Sequence, residues 1–293
     1  MRLHQLKKQL KRELIQQEAR AKKSNRKFWI VSALVIVAAL VLCFPIYRQQ
    51  QLTAPQQLFS KGVEQESRGQ LAAAEQSYRE VYQRYPQAHE AVEALLKIGK
   101  IWQHDHQDGQ QALLNYLQLE HDYPDSPLVL TAREEAAQIV KFTLRDYSRA
   151  VEFYQRLLDL NKGTPDQYYY EIADCYFRLG NYPQARIEFE TLLETYPHSL
   201  LIADVLYRKG GLLLLEGRVE DARKDWRRLI EAYPDSSQRI QAEFDLAKLL
   251  EEKQHLIEAL QSYRQLEGSL RSSLLQQKIE HLERRIAAKK EAI

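Results

Sequence analysis

The 293-residue sequence contains two cysteines, one methionine and ten glycines. Two cysteines exclude a disulfide framework and a four-cysteine metal site. Glycine at about half its usual share argues against an all-β fold built on glycine turns. No G-x4-GK[ST] phosphate loop occurs, and no HExxH, GxSxG or CxxC, so nucleotide binding and the common hydrolytic centres lack their residues. The formal net charge is only +2, yet it is unevenly spread: residues 1–27 hold ten Lys/Arg and two Asp/Glu, leaving 32 basic against 38 acidic residues, a net of −6, in the remainder. An acidic main body excludes a nucleic-acid binder with a basic domain.

One long apolar run is present. Phe28 to Tyr47 reads FWIVSALVIVAALVLCFPIY, with no charge over twenty residues. A helix of that length spans about 30 Å, the thickness of a bilayer's hydrocarbon core. Phe28, Trp29 and Tyr47 stand at its ends, where aromatic rings settle at the two interfaces. The basic flank precedes the run, so the positive-inside rule predicts a cytoplasmic N-terminus, with everything after Tyr47 on the far side. The run is longer than a signal peptide's apolar core. Leu42 also stands where a lipoprotein box before Cys43 needs a small residue, so an uncleaved single-pass anchor is expected. Leu3, Leu6, Leu10 and Leu14 would line one side of a tail helix able to rest on anionic lipid.

Beyond Ala54 the chain repeats. Among the Tyr-Pro pairs, those at Tyr85, Tyr123, Tyr196 and Tyr233 are spaced 38, 73 and 37. Ala followed four residues later by an aromatic occurs six times: Ala74/Tyr78, Ala112/Tyr116, Ala150/Tyr154, Ala185/Phe189, Ala222/Trp226 and Ala259/Tyr263. Three residues after each ring stands an aliphatic: Val81, Leu119, Leu157, Leu192, Leu229 or Leu266. This spacing places alanine, ring and aliphatic on one helix face, and proline after the tyrosine ends the helix. A small residue lies sixteen positions before the ring in four repeats (Gly62, Ala173, Gly210, Ala247), and turn residues are expected at Gly69, Gly109, Asp146, Gly180 and Gly217. Pro55, Pro165 and Pro183 suit first turns. Each repeat is predicted to be helix, turn, helix.

These slots resemble the tetratricopeptide repeat (TPR) family in kind and order over residues 55–269. The period of 35–38 exceeds the family's 34, and Lys162 and Arg271 replace the proline in the third and sixth repeats. The YP-x-S pattern ending at Ser126, Ser199 and Ser236 is similar to that of membrane-anchored periplasmic TPR proteins of the bacterial envelope. The resemblance implies an all-α fold: a helix-turn-helix solenoid of about six repeats, preceded by one transmembrane helix. The expected layout is a basic tail at 1–27, a span at 28–47, a linker at 48–54, repeats at 55–269 and a capping helix at 270–293. That last helix would turn Leu270, Leu274, Leu275, Ile279, Leu282 and Ile286 toward the final repeat.

The family binds protein partners on the concave face formed by the first helix of each repeat. Counted from the ring slot, inward positions are Phe59, Lys100, Glu135, Tyr170, Asp174, Arg178, Tyr207 and Lys248. Lys100, Tyr170, Asp174, Arg178, Tyr207 and Lys248 are the candidate protein-binding residues, because exposed tyrosine beside arginine is the composition of binding hot spots. At least one ring of Tyr168-Tyr169-Tyr170 should be exposed, since three adjacent side chains cannot all enter one core. The family's carboxylate-seizing clamp is not matched, with Phe59 and Val63 in the corresponding slots of the first repeat. His104, Asp105, His106 and Asp108 form one ligand-like cluster, in a turn where polar residues are expected anyway. Cys175 reads as a packed thiol.

The expectation is a non-enzymatic scaffold anchored in the bacterial inner membrane, its repeats in the periplasm. It would bind protein partners of an envelope assembly, secretion or division complex, with anionic lipid at its basic tail. No cofactor, nucleic acid or small-molecule substrate is expected. Two alternatives stay open: an organelle outer-membrane receptor with cytosol-facing repeats, and a metal-binding or enzymatic periplasmic protein.

Overall fold

A computed structural model describes residues 53–268 and 272–291. The apolar run at 28–47 and the basic tail lie outside the described residues, among which no helix is long and apolar enough to cross a membrane. The described residues are helices and turns throughout. They divide into two compact bodies, up to Ile98 and from Gly99 onward.

The first body holds α1 (residues 53–67), α2 (Leu71–Arg84) and most of α3 (His89–Lys100). The Tyr78 ring packs on Phe59 with centroids 5.3 Å apart, and a Cβ on Gly62 would come within 2.6 Å of it. The Tyr78 hydroxyl donates to Glu66, which also holds Lys97 at 3.0 Å.

In the second body α3 ends in a π-turn (Ile101–Asp105), followed by α4 (Gly109–Asp122) and α5 (Leu128–Gln138), itself ending in a π-turn at Ile139–Thr143. Then come α6 (Tyr147–Asp159), α7 (Pro165–Arg178), α8 (Tyr182–Thr195), α9 (Ile202–Leu215) and α10 (Val219–Ala232). The last three are α11 (Ser237–Glu252), α12 (Leu256–Leu266) and α13 (Ser273–Glu291). Successive helices pack as hairpins, and each hairpin packs on the next, a helical-repeat solenoid.

The alternation of alanine, ring and aliphatic is the core. All six alanines are fully buried, and none of the six rings is more than 3% exposed. The four tyrosines that close a helix before proline share one backbone geometry, φ −125° to −133° with ψ 55° to 60°. That lies outside the helical region, which a following proline disfavours, and each helix stops there. Three residues on, Ser126, Ser199 and Ser236 donate their amides to the tyrosine carbonyls. The third repeat, without proline, instead ends α6 with Asn161 and Gly163 at positive φ.

The turn residues differ from expectation in two repeats. Gly69, Gly180 and Gly217 take positive φ, but in the second and third repeats that conformation belongs to Gln107 and Arg145, and in the sixth to Gln254. Each of these six residues stands nine positions before its ring. Gly109 is instead the first residue of α4, where a Cβ would come within 2.7 Å of the Thr143 methyl. Asp108 and Asp146 cap α4 and α6 with their side chains.

The π-turns account for the two repeats that lacked a small residue at minus sixteen. A π-turn takes up one extra residue within a helix, so the small residue moves to minus seventeen: Gly99 before Tyr116 and Ala137 before Tyr154. A Cβ on Gly99 would lie 2.5 Å from the Tyr116 ring, and Ala137 is fully buried.

At the far end α13 packs Leu275, Ile279 and Leu282 against Leu256, Tyr263 and Leu266, with Ile286 beside them. Leu274 was expected on this face but is exposed, one position round the helix from Leu275; Leu270 lies outside the described residues.

Candidate functional site

The site is built by three first helices, α7, α9 and α11. Nineteen positions before the ring each carries an aromatic that packs on its own repeat: Tyr170 on Phe189 (5.8 Å), Tyr207 on Trp226 (6.2 Å) and Phe244 on Tyr263 (5.2 Å). The tyrosine hydroxyls then reach the next repeat. Tyr170 donates to Asp204, and Tyr207 to Asp245 at 3.0 Å. Phe244 has no hydroxyl, so the series stops at α11.

Beside the ring series runs a charged one. Asp174, buried on α7, receives Lys141 at 2.6 Å, Arg178 Nε at 2.8 Å and Arg208 Nη1 at 3.0 Å. Burial alone would push its carboxyl up; Arg178 and Lys141 outweigh that and hold it below the usual range. Lys141 comes from the π-turn after α5, is almost wholly buried, and also pairs with Glu171. Arg208 lies over the Tyr170 ring at 5.1 Å and bonds Asp204 at 3.0 Å.

Between these helices opens a cleft of about 350 Å³. Its floor is Phe189 and Trp226, its walls are Phe177 and Leu215, and its charged lining is Asp174, Arg208 and Asp245. Phe177 and Leu215 are 42% and 57% exposed. Gly211 leaves the space open, because a Cβ there meets nothing within 4 Å.

Of the residues singled out in the sequence, Tyr170, Asp174, Arg178 and Tyr207 meet in this network, while Lys100 and Lys248 do not. Lys100 closes α3, outside the three helices that build the cleft; counting without the π-turn's extra residue put Glu135 one position out of register. Glu135 accepts from Gln103 at 3.0 Å. Lys248 is exposed on α11, with Glu252 at 3.9 Å. The expectation that one of Tyr168–Tyr170 is exposed also fails. Tyr168 is buried and donates to Glu134, Tyr169 packs half-buried on Tyr196 at 6.0 Å, and Tyr170 is engaged as above. They occupy three different contacts around α7 and need not share one core.

Arg208, Asp245 and Lys141 were missed. Asp245 follows Tyr207 by 38 residues, one more than the 37 that separate Trp226 from Tyr263, so the repeat period does not single it out.

The other candidates fall away from this site. The His104 cluster does not converge: Asp108 accepts the amides of Gln110 and Gln111, and His106 packs on Trp102 at 4.6 Å. Among the described residues no group of three His, Cys, Asp or Glu is arranged to hold a metal. Cys175 is buried and unpaired, and burial pushes its thiol up to about 12.

Residues 139–199 and 204–236 match models of the tetratricopeptide repeat. Over those residues the chain carries tetratricopeptide repeats. The two matched segments include α7, α9 and α10 of the cleft. A TPR protein from Parabacteroides merdae superposes with a TM-score of 0.51 at 16% identity, over 79% of this chain and 99% of its own. The pilF protein of Pseudomonas aeruginosa superposes with a TM-score of 0.50 at 15% identity, over 79% of this chain and 98% of its own. At these identities the likeness is one of fold. A comparison with curated protein sequences finds no match.

Proposed function

We propose that this chain is a membrane-anchored TPR scaffold without enzymatic activity, which holds a protein partner in the cleft between α7, α9 and α11. TPR solenoids serve protein–protein interaction, and the cleft is the observation that carries the reading here. It is open and apolar at its mouth, with a fixed polar network behind it. Such a mouth offers the desolvating contact that interface hot spots need.

The address follows from the sequence. The uncharged run 28–47 behind a tail of net charge +8 supports a single span with the N-terminus in the cytoplasm and the repeats in the periplasm. In that compartment the partner belongs to an envelope assembly, secretion or division complex, and the basic tail meets anionic lipid.

Alkaline phosphatase fused after Ile293 tests the address in a bacterial host, since the enzyme folds only when exported. Activity is expected. Inactivity together with a fluorescent cytoplasmic fusion would place the repeats on the other side and favour the cytosol-facing receptor.

A further inference from the structure

Resting on that reading of the cleft, we propose the chemistry of its occupant: a peptide segment pairing an aliphatic or aromatic side chain with a nearby lysine or arginine. The apolar group enters between Phe177 and Leu215 onto Trp226, and the cation meets Asp245.

Charge balance in the lining carries the assignment. Three charged side chains line the cleft, and two are already matched. Arg208 spans Asp174 and Asp204, both at 3.0 Å, and Asp174 has Lys141 and Arg178 besides. Asp245 has only the Tyr207 hydroxyl, and among the described residues no lysine, arginine or histidine forms an ion pair with it. Lys248, one turn along α11, stands nearer to Glu252. Burial pushes the Asp245 carboxyl up, and neither the Tyr207 hydrogen bond nor the more distant charge of Lys248 offsets it. A partner ammonium or guanidinium supplies what the fold omits.

The apolar half follows from shape. Gly211 keeps the floor open over Trp226, and the two side chains at the mouth are largely exposed. An acidic segment is selected against: it would meet Asp245 as a like charge, and Arg208, the one lining cation, is already satisfied.

The test is to pan a library of random dodecapeptides against the full chain in detergent micelles, then measure enriched peptides by fluorescence anisotropy. Wild type, Gly211→Leu and Asp245→Asn are compared, with thermal melting confirming each fold. Enrichment of lysine or arginine beside an apolar residue is expected, with binding abolished by Gly211→Leu and weakened about tenfold by Asp245→Asn. Acidic or uncharged peptides that lose binding in Gly211→Leu, or basic peptides indifferent to Asp245→Asn, would overturn the assignment while leaving the cleft as the binding site. No enrichment, or binding indifferent to Gly211→Leu, would overturn the cleft reading itself.

Discussion

The indole of Trp226 lies directly against the backbone of Gly210: a Cβ built on that glycine would sit 2.7 Å from the ring's Cδ1, inside van der Waals contact. The ring cannot retreat, because it is buried and its Nε1 donates to the Tyr207 carbonyl at 3.0 Å. The next residue, Gly211, faces open cleft. Two adjacent helical glycines therefore have opposite requirements.

Gly210→Ala is expected to destabilise by about 1–3 kcal/mol, the usual cost of overpacking. Gly211→Ala is expected to stabilise by up to about 1 kcal/mol through helix propensity. Urea midpoints of the two variants check this, and equal shifts would show that α9 and α10 are not interlocked as described.

Lys141 is buried between Glu171 and Asp174, so removing its charge strands a carboxylate. Lys141→Met is expected to cost about 3 kcal/mol. Adding Glu171→Gln should return a large part of that, a coupling readable in a double-mutant cycle. If the two changes simply add, the pair is not a unit.

The two aspartates of the site have opposite pH signatures. Asp174 lies below the usual carboxyl range in the fold, so its contribution is complete above the unfolded value of about 3.9 and is lost as pH falls through the lower folded value. Asp245 is pushed up by burial, against the Tyr207 hydrogen bond. Its effect is reversed: stability declines as pH rises through the carboxylate range. At pH 7, Asp174→Asn should therefore lower stability, whereas Asp245→Asn should leave it unchanged or raise it, since a carboxamide can still accept from Tyr207. Denaturation curves at pH 4 and pH 7 distinguish the two.

Cys175 is expected to resist thiol reagents at pH 8 until the chain unfolds, because burial keeps its thiol protonated. In a Cys43→Ser background, labelling should follow the unfolding transition. Prompt labelling in the native state would contradict the packing of α7.

Much of this was legible beforehand, and for a physical reason. Ala222, Trp226 and Leu229 recur at fixed spacing because each buries the same face, so periodicity alone gives core and hairpin order. The π-turns at Ile101–Asp105 and Ile139–Thr143 lengthen the ring-to-ring spacing to 38 in those two repeats, but one residue does not stand out in a period that ranges from 35 to 38. That single residue misplaced Glu135. The pairing of Asp245 with Tyr207 was hidden because a long-range contact depends on how repeats stack, which one repeat's pattern does not encode.

The central claim is that a protein partner sits in the cleft. Its most direct test is a photo-cross-linking residue at Leu215 of the full chain in living cells, with and without Gly211→Leu. The account expects a discrete adduct with another protein that disappears when the cleft is filled. Absence of any adduct, or one that persists unchanged in Gly211→Leu at normal expression, would contradict it.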